Sequence, residues 1–201
     1  MKAATCLAIF KQVLVDYHLT NDVDALMSNP YAPTTFEGLL YQKCWVDSVQ
    51  WHLEDLVRDP QIDPLKGLQL KRRIDASNQR RTDLVEKIDD FILQHVEGVS
   101  TSQHTPINTE SPAWAIDRLS ILALKIYHMR EETTRLEAGE AHQLRCTQKL
   151  NVLLEQENDL SLSIDQLLSD LNAGKKKMKV YRQMKMYNDA SLNPVLYQQK
   201  Q

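Results

Sequence analysis

The segment DPLKGLQLKRRIDASNQRRTDLVEKIDDFILQHVEG, residues 63–98, has the features of one long α-helix. Asp63 suits the N-cap, Pro64 suits the first helical position, and Gly98 suits the residue beyond the C-cap. The stripe between them consists of Leu70, Ile74, Asn78, Arg81, Val85, Ile88 and Ile92. Its intervals of three and four residues match the helical period. We therefore predict a helix from Pro64 to about Val96 with two polar side chains in the middle of its apolar stripe.

The whole chain has the composition of a helical protein. Of its 201 residues, 42% are hydrophobic and 25% are charged, with only five glycines and seven prolines. Leu, Gln, Glu, Lys and Arg, which are good helix formers, dominate. The length suffices for one domain with a real core. We expect an all-α fold, an antiparallel bundle of four to five long helices with a short C-terminal basic helix and tail. Thr34 or Thr35 is the predicted cap of helix 2, and Ser111 that of helix 4.

The predicted domain has five consecutive parts. They are an N-terminal helix and loop (1–34), helices 2 and 3 (35–98), a loop (99–111), helices 4 and 5 (112–174), and a basic helix and tail (175–201). In the fourth part, heptad-like apolar spacing fits either one helix of about 60 residues or a hairpin that turns near Gly139. A compact domain favours the hairpin. The heptads over 146–171 fit an internal seam or a homodimer interface equally well.

The C-terminal stretch is the most basic part of the chain. Its run of lysines and arginines over 175–185 fits a solvated helix end or an anion-contacting tail. Tyr187, Asn188 and the pair Asn193-Pro194 predict turns that pin the tail to the bundle.

Charge and cysteine content narrow the choice of partners. A net charge of −3 gives no general attraction to nucleic acid or to membranes. No segment approaches the roughly 20 apolar residues that span a bilayer. Cys6, Cys44 and Cys146 lie far apart without zinc-site spacing, which predicts buried reduced thiols in a cytoplasmic protein.

Three polar constellations interrupt the predicted apolar faces. They are QWHLEDLVRD (50–59), SNQRRTDLVE (77–86) and KIYHMREE (125–132). A buried polar group is costly unless it is paired, so such groups usually serve unique packing or chemistry. The constellations are therefore the predicted location of any functional site.

Two of these constellations pair a histidine with carboxylates at helical spacing. His52 precedes Asp55 by three residues, and His128 precedes Glu131 and Glu132 by three and four. If the two faces met, His52, Asp55, His128 and Glu131 would form a ligand set for iron, manganese or zinc. The histidine-first order differs from the Glu-x-x-His motif of di-iron bundles. Two metal-free alternatives therefore stay open: histidines held by their own carboxylates at the core edge, and a polar pocket.

The polar pocket has its own candidate residues. Asn78 and Arg81 point along the apolar stripe and should be partly buried, and a buried arginine needs an acid. Asp47, Asp55, Asp117 and Glu132 are the candidate acids. An arginine left unpaired in a cleft would bind an anionic ligand such as a phosphorylated sugar or nucleotide. The predicted ligand-binding residues are Arg58, Asn78, Arg81, Asp117 and Lys125. In an enzyme, the candidate acid/base residues are His52, Asp55, His128 and Glu132.

Four long strings resemble an uncharacterised bacterial family catalogued as a domain of unknown function. They are QWHLEDLVRD, KRRIDASNQRRTDLVEKID (71–89), PAWAIDRLSILALKIYHMREE (112–132) and YNDASLNPVLY (187–197). The resemblance implies a bacterial helical protein without an assigned activity. The string DRLSIL-x-LK is also similar to a second uncharacterised bacterial family, one discussed alongside envelope-glycan glycosyltransferases. That likeness implies a link to cell-envelope polysaccharide, by analogy alone.

Three hypotheses about function follow. The first is a cytoplasmic binding or scaffold module, without a cofactor, for an anionic small molecule or a protein partner. The second is an acid/base or metal-dependent enzyme with a histidine, carboxylate and arginine site inside the bundle. The third is a coiled-coil oligomeriser that uses 146–171. An enzyme requires a solvent-reachable histidine in a cleft, whereas a scaffold requires a large exposed apolar face.

Overall fold

The computed structural model describes residues 1–184, 186 and 189–198 and is an all-α bundle, as the sequence predicts. Its helices are α1 (Ala3–His18), α2 (Phe36–Leu56), α3 (Pro64–Val96), α4 (Pro112–Thr134), α5 (Glu140–Asn172) and the short α6 (Pro194–Tyr197). The described residues contain no β-strand beyond an isolated bridge between Ile107 and Lys177. No helix in this part of the chain is both long and apolar enough to cross a membrane.

The chain turns back between α4 and α5, so the hairpin prediction is confirmed. Helix α4 ends at Thr134, a single 3₁₀ turn covers Leu136–Ala138, and Gly139 follows with a φ of 79°. Residues that carry a Cβ atom rarely adopt this positive φ, whereas glycine adopts it without a steric penalty. Gly139 therefore ends the short turn and allows α5 to pack back along α4.

Helix α2 packs against α1, α3 and α4 and has buried residues along most of its length. The main core draws on all five long helices and includes Phe10, Tyr17, Leu40, Cys44, Ile88, Ile116, Leu124 and Ile164. All three cysteines are buried and free, as predicted. On α5, Ile164, Leu167, Leu168 and Leu171 are buried within the chain. The C-terminal part of the predicted seam is thus internal, and a homodimer through the rest of 146–171 stays a prediction.

Helix α4 is capped differently from the prediction. The Ser111 side chain makes no cap hydrogen bond, and its hydroxyl donates to Asp89 Oδ2 at 2.5 Å. The other oxygen of Asp89 accepts from the Ala113 backbone N–H at 3.0 Å. A carboxylate from α3 therefore serves the N-terminus of α4 and fixes the two helices to each other.

The predicted C-terminal basic helix is wrong over residues 175–184, which form no helix. Gly174, with a φ of 66°, ends the helical path. The following segment lies across α3, where Arg182 donates to both carboxylate oxygens of Asp90 at 2.8 Å. Closely spaced lysines repel one another in a helix, whereas the extended path gives Arg182 an acidic partner. The turn predicted at 187–188 lies outside the described residues.

Replacing Thr35 with Ala should reduce the free energy of unfolding by about 1 kcal/mol. The Thr35 hydroxyl accepts from the Gly38 N–H at 3.1 Å and caps the central helix α2. Urea denaturation measures the loss. Thr34→Ala, at the exposed neighbouring position, is the control and should be near neutral; an equal loss in both variants would contradict the capping role.

Candidate functional site

Three histidines from three helices meet at one end of the bundle. His18 ends α1, His52 lies in the last turns of α2, and His128 lies in α4. One ring nitrogen from each lies within 4.8 Å of the other two. The Nε2 atoms of His18 and His52 are 3.4 Å apart. The structure thus brings the predicted residues His52 and His128 together, and it adds His18, to which the sequence assigned no role.

The outer nitrogens of these rings face acceptors. His18 Nδ1 donates to the Leu14 carbonyl at 2.6 Å, and His128 Nδ1 lies 2.9 Å from Glu131 Oε2. His52 Nδ1 faces Asp55 Oδ2 at 3.8 Å, a distance longer than a hydrogen bond. A carbonyl oxygen only accepts, so His18 carries its proton on Nδ1 and presents a lone pair on Nε2. Proteins orient metal-binding histidines in this way.

His128 Nε2 points into the cluster and is buried without a hydrogen-bond partner among the described residues. A proton shared between His18 and His52 would satisfy those two rings and leave His128 unsatisfied. A buried polar atom without a partner costs free energy. One cation placed between the three nitrogens would satisfy all of them.

Aromatic side chains enclose the three imidazoles. Tyr17 stacks on His52 with ring centroids 5.2 Å apart, Tyr127 stacks on His18 at 4.3 Å, and Trp51 stacks on His128 at 5.0 Å. Burial lowers the pKa of His18 and of His52, and the nearby His128 lowers both further. Both rings are therefore neutral near pH 7, which is the form that binds metal ions.

Two clefts flank the cluster. The larger, with a volume of about 530 Å³, is lined by His52 together with Asn21, Asp22, Val23, Asp55, Leu56, Asp59, Ile62 and Lys66. The smaller, of about 290 Å³, is lined by Asp47, Gln50, Trp51, Glu54, Asp55, Arg58, Arg81 and Ile121. Asp55 belongs to both, and Trp51 links the smaller cleft to His128 by stacking. His52 is therefore reachable from solvent through the larger cleft.

A buried ion network lies beneath the smaller cleft. Lys43 Nζ is 2.5 Å from Asp47 Oδ2 and 2.8 Å from Asp117 Oδ1. Arg81 donates to both carboxylate oxygens of Asp117 at 2.8 and 2.5 Å. The Ser120 hydroxyl donates to Asp47 Oδ2 at 2.6 Å. Burial raises the pKa of Asp47. Although burial acts in the same direction on Asp117, Lys43 and Arg81 hold its pKa below the ordinary value.

The predicted ligand-binding residues are largely paired with other side chains. Arg81 is bound to Asp117, as described above, and Arg58 Nη1 lies 2.8 Å from Glu54 Oε2. Asn78 Oδ1 accepts from Gln50 Nε2 at 2.9 Å. Lys125 is exposed on α4 and lines neither of the two clefts. The arginines are therefore partners of acids rather than free cations.

Glu132, a predicted partner of His128, lies in a different place. Its Oε2 is 2.7 Å from His142 Nε2 and 2.8 Å from Arg135 Nη2, near the turn between α4 and α5. Glu132 follows His128 by four residues, which is about 6 Å along the helix axis. The single histidine, carboxylate and arginine site predicted from the sequence is thus divided among three places.

Two central residues went unrecognised in the sequence, although each had a signal. His18 follows Leu14 by four residues and so continues the buried stripe of α1. Lys43 precedes Asp47 by four residues, the spacing of an ion pair on one helical face. Helical spacing alone could have marked both side chains as facing inward.

The family comparison matches most of the chain. A family model described as "Protein of unknown function (DUF4254)" matches residues 37–180. No curated protein matches the chain, and no solved structure does. The matched region includes His52 and His128, whereas His18 precedes it.

Proposed function

We propose that this chain, which belongs to the family of unknown function DUF4254, is a metal-dependent enzyme whose ion is held by His18, His52 and His128. The observation that supports it is the convergence of three imidazole nitrogens, with each ring's outer nitrogen facing a carbonyl or a carboxylate. Imidazole ligands suit zinc, iron, copper and nickel.

The spacing of the nitrogens supports a tetrahedral ion. Two nitrogens at about 2.05 Å from a tetrahedral zinc are roughly 3.3 Å apart. The Nε2 atoms of His18 and His52 are 3.4 Å apart. The His128 nitrogen lies within 4.8 Å of both and would have to move closer to complete the set.

Three protein ligands favour a catalytic role over a structural one. Structural zinc sites use four protein ligands, whereas catalytic sites use three and leave one position for water. A metal ion would lower the pKa of that water and make it a nucleophile. Asp55 lies in the larger cleft beside His52 and is the candidate general base, while Glu131 orients His128.

The larger cleft also constrains the substrate. Asp22, Asp55 and Asp59 line it with one cation, Lys66. With a divalent ion at the three histidines these charges would sum to about zero, which favours a neutral polar substrate over a phosphorylated one. The cytoplasmic location and the link to cell-envelope glycan remain part of the proposal and rest on the cysteines and on the family resemblance.

A binding module for an anionic ligand is the second candidate. Arg58 and Arg81 line the smaller cleft beside Trp51, where Gln50 Oε1 is buried without a partner among the described residues. Both arginines are already paired with acids, so an anion would have to displace a carboxylate. This pairing makes the metal centre the better-supported proposal.

Metal titration of purified protein tests the proposed centre. His18→Ala, His52→Ala and His128→Ala should each bind one equivalent of Zn²⁺ or Co²⁺ fewer than the wild type, as measured by calorimetry. His95→Ala is the matched control, because His95 hydrogen-bonds to the Phe91 carbonyl on the exposed side of α3. Equal stoichiometry in all four variants would overturn the proposal.

Removing the carboxylate behind His128 should weaken the centre without abolishing it. Glu131→Ala is expected to reduce metal affinity about 10–100-fold, the usual effect of losing such an orienting partner. Glu137→Ala, on the exposed 3₁₀ turn, is the control and should leave the affinity unchanged. Unaltered affinity in Glu131→Ala would contradict the role of Glu131 in orienting a metal ligand.

An added ligand distinguishes a catalytic centre, which has an open coordination position, from a structural centre whose coordination positions are all filled by the protein. Azide added to the Co²⁺-loaded protein should change its visible spectrum, because an open coordination position exchanges water for the anion. A spectrum that does not respond to azide would leave a metal site but contradict the proposed enzyme.

A further inference from the structure

A second cluster of metal-binding side chains lies at the turn between α4 and α5. Glu132 comes from the last turn of α4, and His142 and Cys146 are one helical turn apart in α5. His142 Nε2 is 2.7 Å from Glu132 Oε2 and 3.3 Å from Cys146 Sγ. The three atoms lie within 4.8 Å of one another, and Cys146 is only 6% exposed.

The geometry does not suit a cysteine nucleophile activated by histidine. In such a site the base receives the thiol proton on one ring nitrogen, and the orienting acid binds the other nitrogen. Here the thiol and the carboxylate of Glu132 both face Nε2 of His142. One proton on Nε2 can serve only one of them. Three donor atoms that face a common point are the arrangement of a metal site.

The donor set is one that zinc accepts. Zinc binds cysteine sulfur, histidine nitrogen and carboxylate oxygen. A His-x-x-x-Cys spacing places both α5 ligands on one face of the helix, and Glu132 approaches from the neighbouring helix. The thiolate and the carboxylate together would balance the two charges of the ion.

Arg135 contacts this cluster in the present arrangement. Its Nη2 is 2.8 Å from Glu132 Oε2 and 3.4 Å from His142 Nε2. The Arg135 side chain is 44% exposed, so it can move into solvent when another cation binds Glu132. Arg135 is therefore a competitor of a metal ion at this point.

We infer that Glu132, His142 and Cys146, contributed by α4 and α5 on either side of the Gly139 turn, form a second metal site of the zinc type. On binding, Cys146 Sγ releases its proton to solvent and Arg135 leaves Glu132. The site shares no ligand with the three-histidine centre, so either can exist without the other.

Cobalt spectroscopy of the reduced full-length protein tests the site. A thiolate bound to Co²⁺ gives a charge-transfer absorption in the near ultraviolet, which an all-histidine site lacks. The wild type should show this absorption, and Cys146→Ser and His142→Ala should lose it. Cys146 is buried, so Cys146→Ser could disturb the fold. His142 is partly exposed, and His142→Ala should therefore leave the fold intact and keep the test valid. His128→Ala should keep the absorption even if the three-histidine proposal fails.

Arg135→Ala adds a test in which metal binding should become stronger rather than weaker. Removal of the competing cation should tighten Co²⁺ binding several-fold, as read from the same absorption. The inference is overturned if the wild type shows no thiolate absorption at millimolar Co²⁺, if the absorption survives in Cys146→Ser, or if Arg135→Ala weakens binding.

Discussion

Replacing Lys43 with Met should lower the free energy of unfolding by about 3–5 kcal/mol, the usual effect of removing one partner from a buried ion network. Lys43 is fully buried and contacts the carboxylates of Asp47 and Asp117. Methionine fills a similar volume but leaves two buried carboxylates with only Arg81 as a cation. Urea denaturation at pH 7 measures the loss.

A double variant separates charge from packing. Lys43→Met combined with Asp47→Asn removes one charge of each sign and leaves the Arg81–Asp117 pair balanced. We expect the double variant to be more stable than Lys43→Met alone. If the two variants were equally unstable, lost packing rather than an unpaired charge would be the cause.

The Lys43→Met defect should also shrink in mild acid. Burial already raises the pKa of Asp47 above its ordinary 3.8, and loss of Lys43 removes a group that opposes this rise. The folded state then binds a proton more tightly than the unfolded chain, so stability increases as pH falls through the raised pKa towards 3.8. Asp117 also loses Lys43, the charge that lowers its pKa most, so its change acts in the same direction. A defect unchanged between neutral and mildly acidic pH would contradict this explanation.

Zinc should stabilise the fold through the three-histidine centre. At free zinc 100-fold above the dissociation constant, linkage adds about 2.7 kcal/mol to the free energy of unfolding. For a chain of this size, that gain should raise Tm by roughly 5–10 °C. Thermal unfolding of Cys146→Ser, which lacks the second cluster's thiol, isolates the effect. In that background His128→Ala should lose the shift and His95→Ala should keep it; a shift that persists in His128→Ala would place the ion elsewhere.

Much of the fold could be predicted because its signals are local. The stripe and caps of α3 lie within one segment, and its observed bounds, Pro64–Val96, are those expected. Gly139 marks the turn between α4 and α5 by itself. The helix predicted over 175–184 is wrong because the path of this segment is set by a distant contact. Arg182 bonds to Asp90, which lies almost a hundred positions earlier.

The site was harder to predict because its parts are distant in the sequence. His52 and His128 stood out beside their own carboxylates at helical spacing. The spacing of His18 from Leu14 marks it as facing inward, but its local hydrogen-bond partner is a backbone carbonyl, so the neighbouring sequence did not indicate a functional site. Its place opposite His52, 34 residues away, follows from how α1 packs on α2. For the same reason the four-residue spacing of His142 and Cys146 on α5 gained meaning only when Glu132 was found beside them.

X-ray absorption at the zinc edge of the loaded Cys146→Ser variant tests the three-histidine centre most directly. We predict three imidazole nitrogens at about 2.0–2.1 Å from the zinc, together with one light-atom ligand from solvent. His18→Ala in the same background should either have one imidazole ligand fewer in the zinc coordination shell or bind no zinc. Fewer than three imidazoles in Cys146→Ser would contradict the proposed centre. So would a zinc signal that is the same with and without His18→Ala in that background.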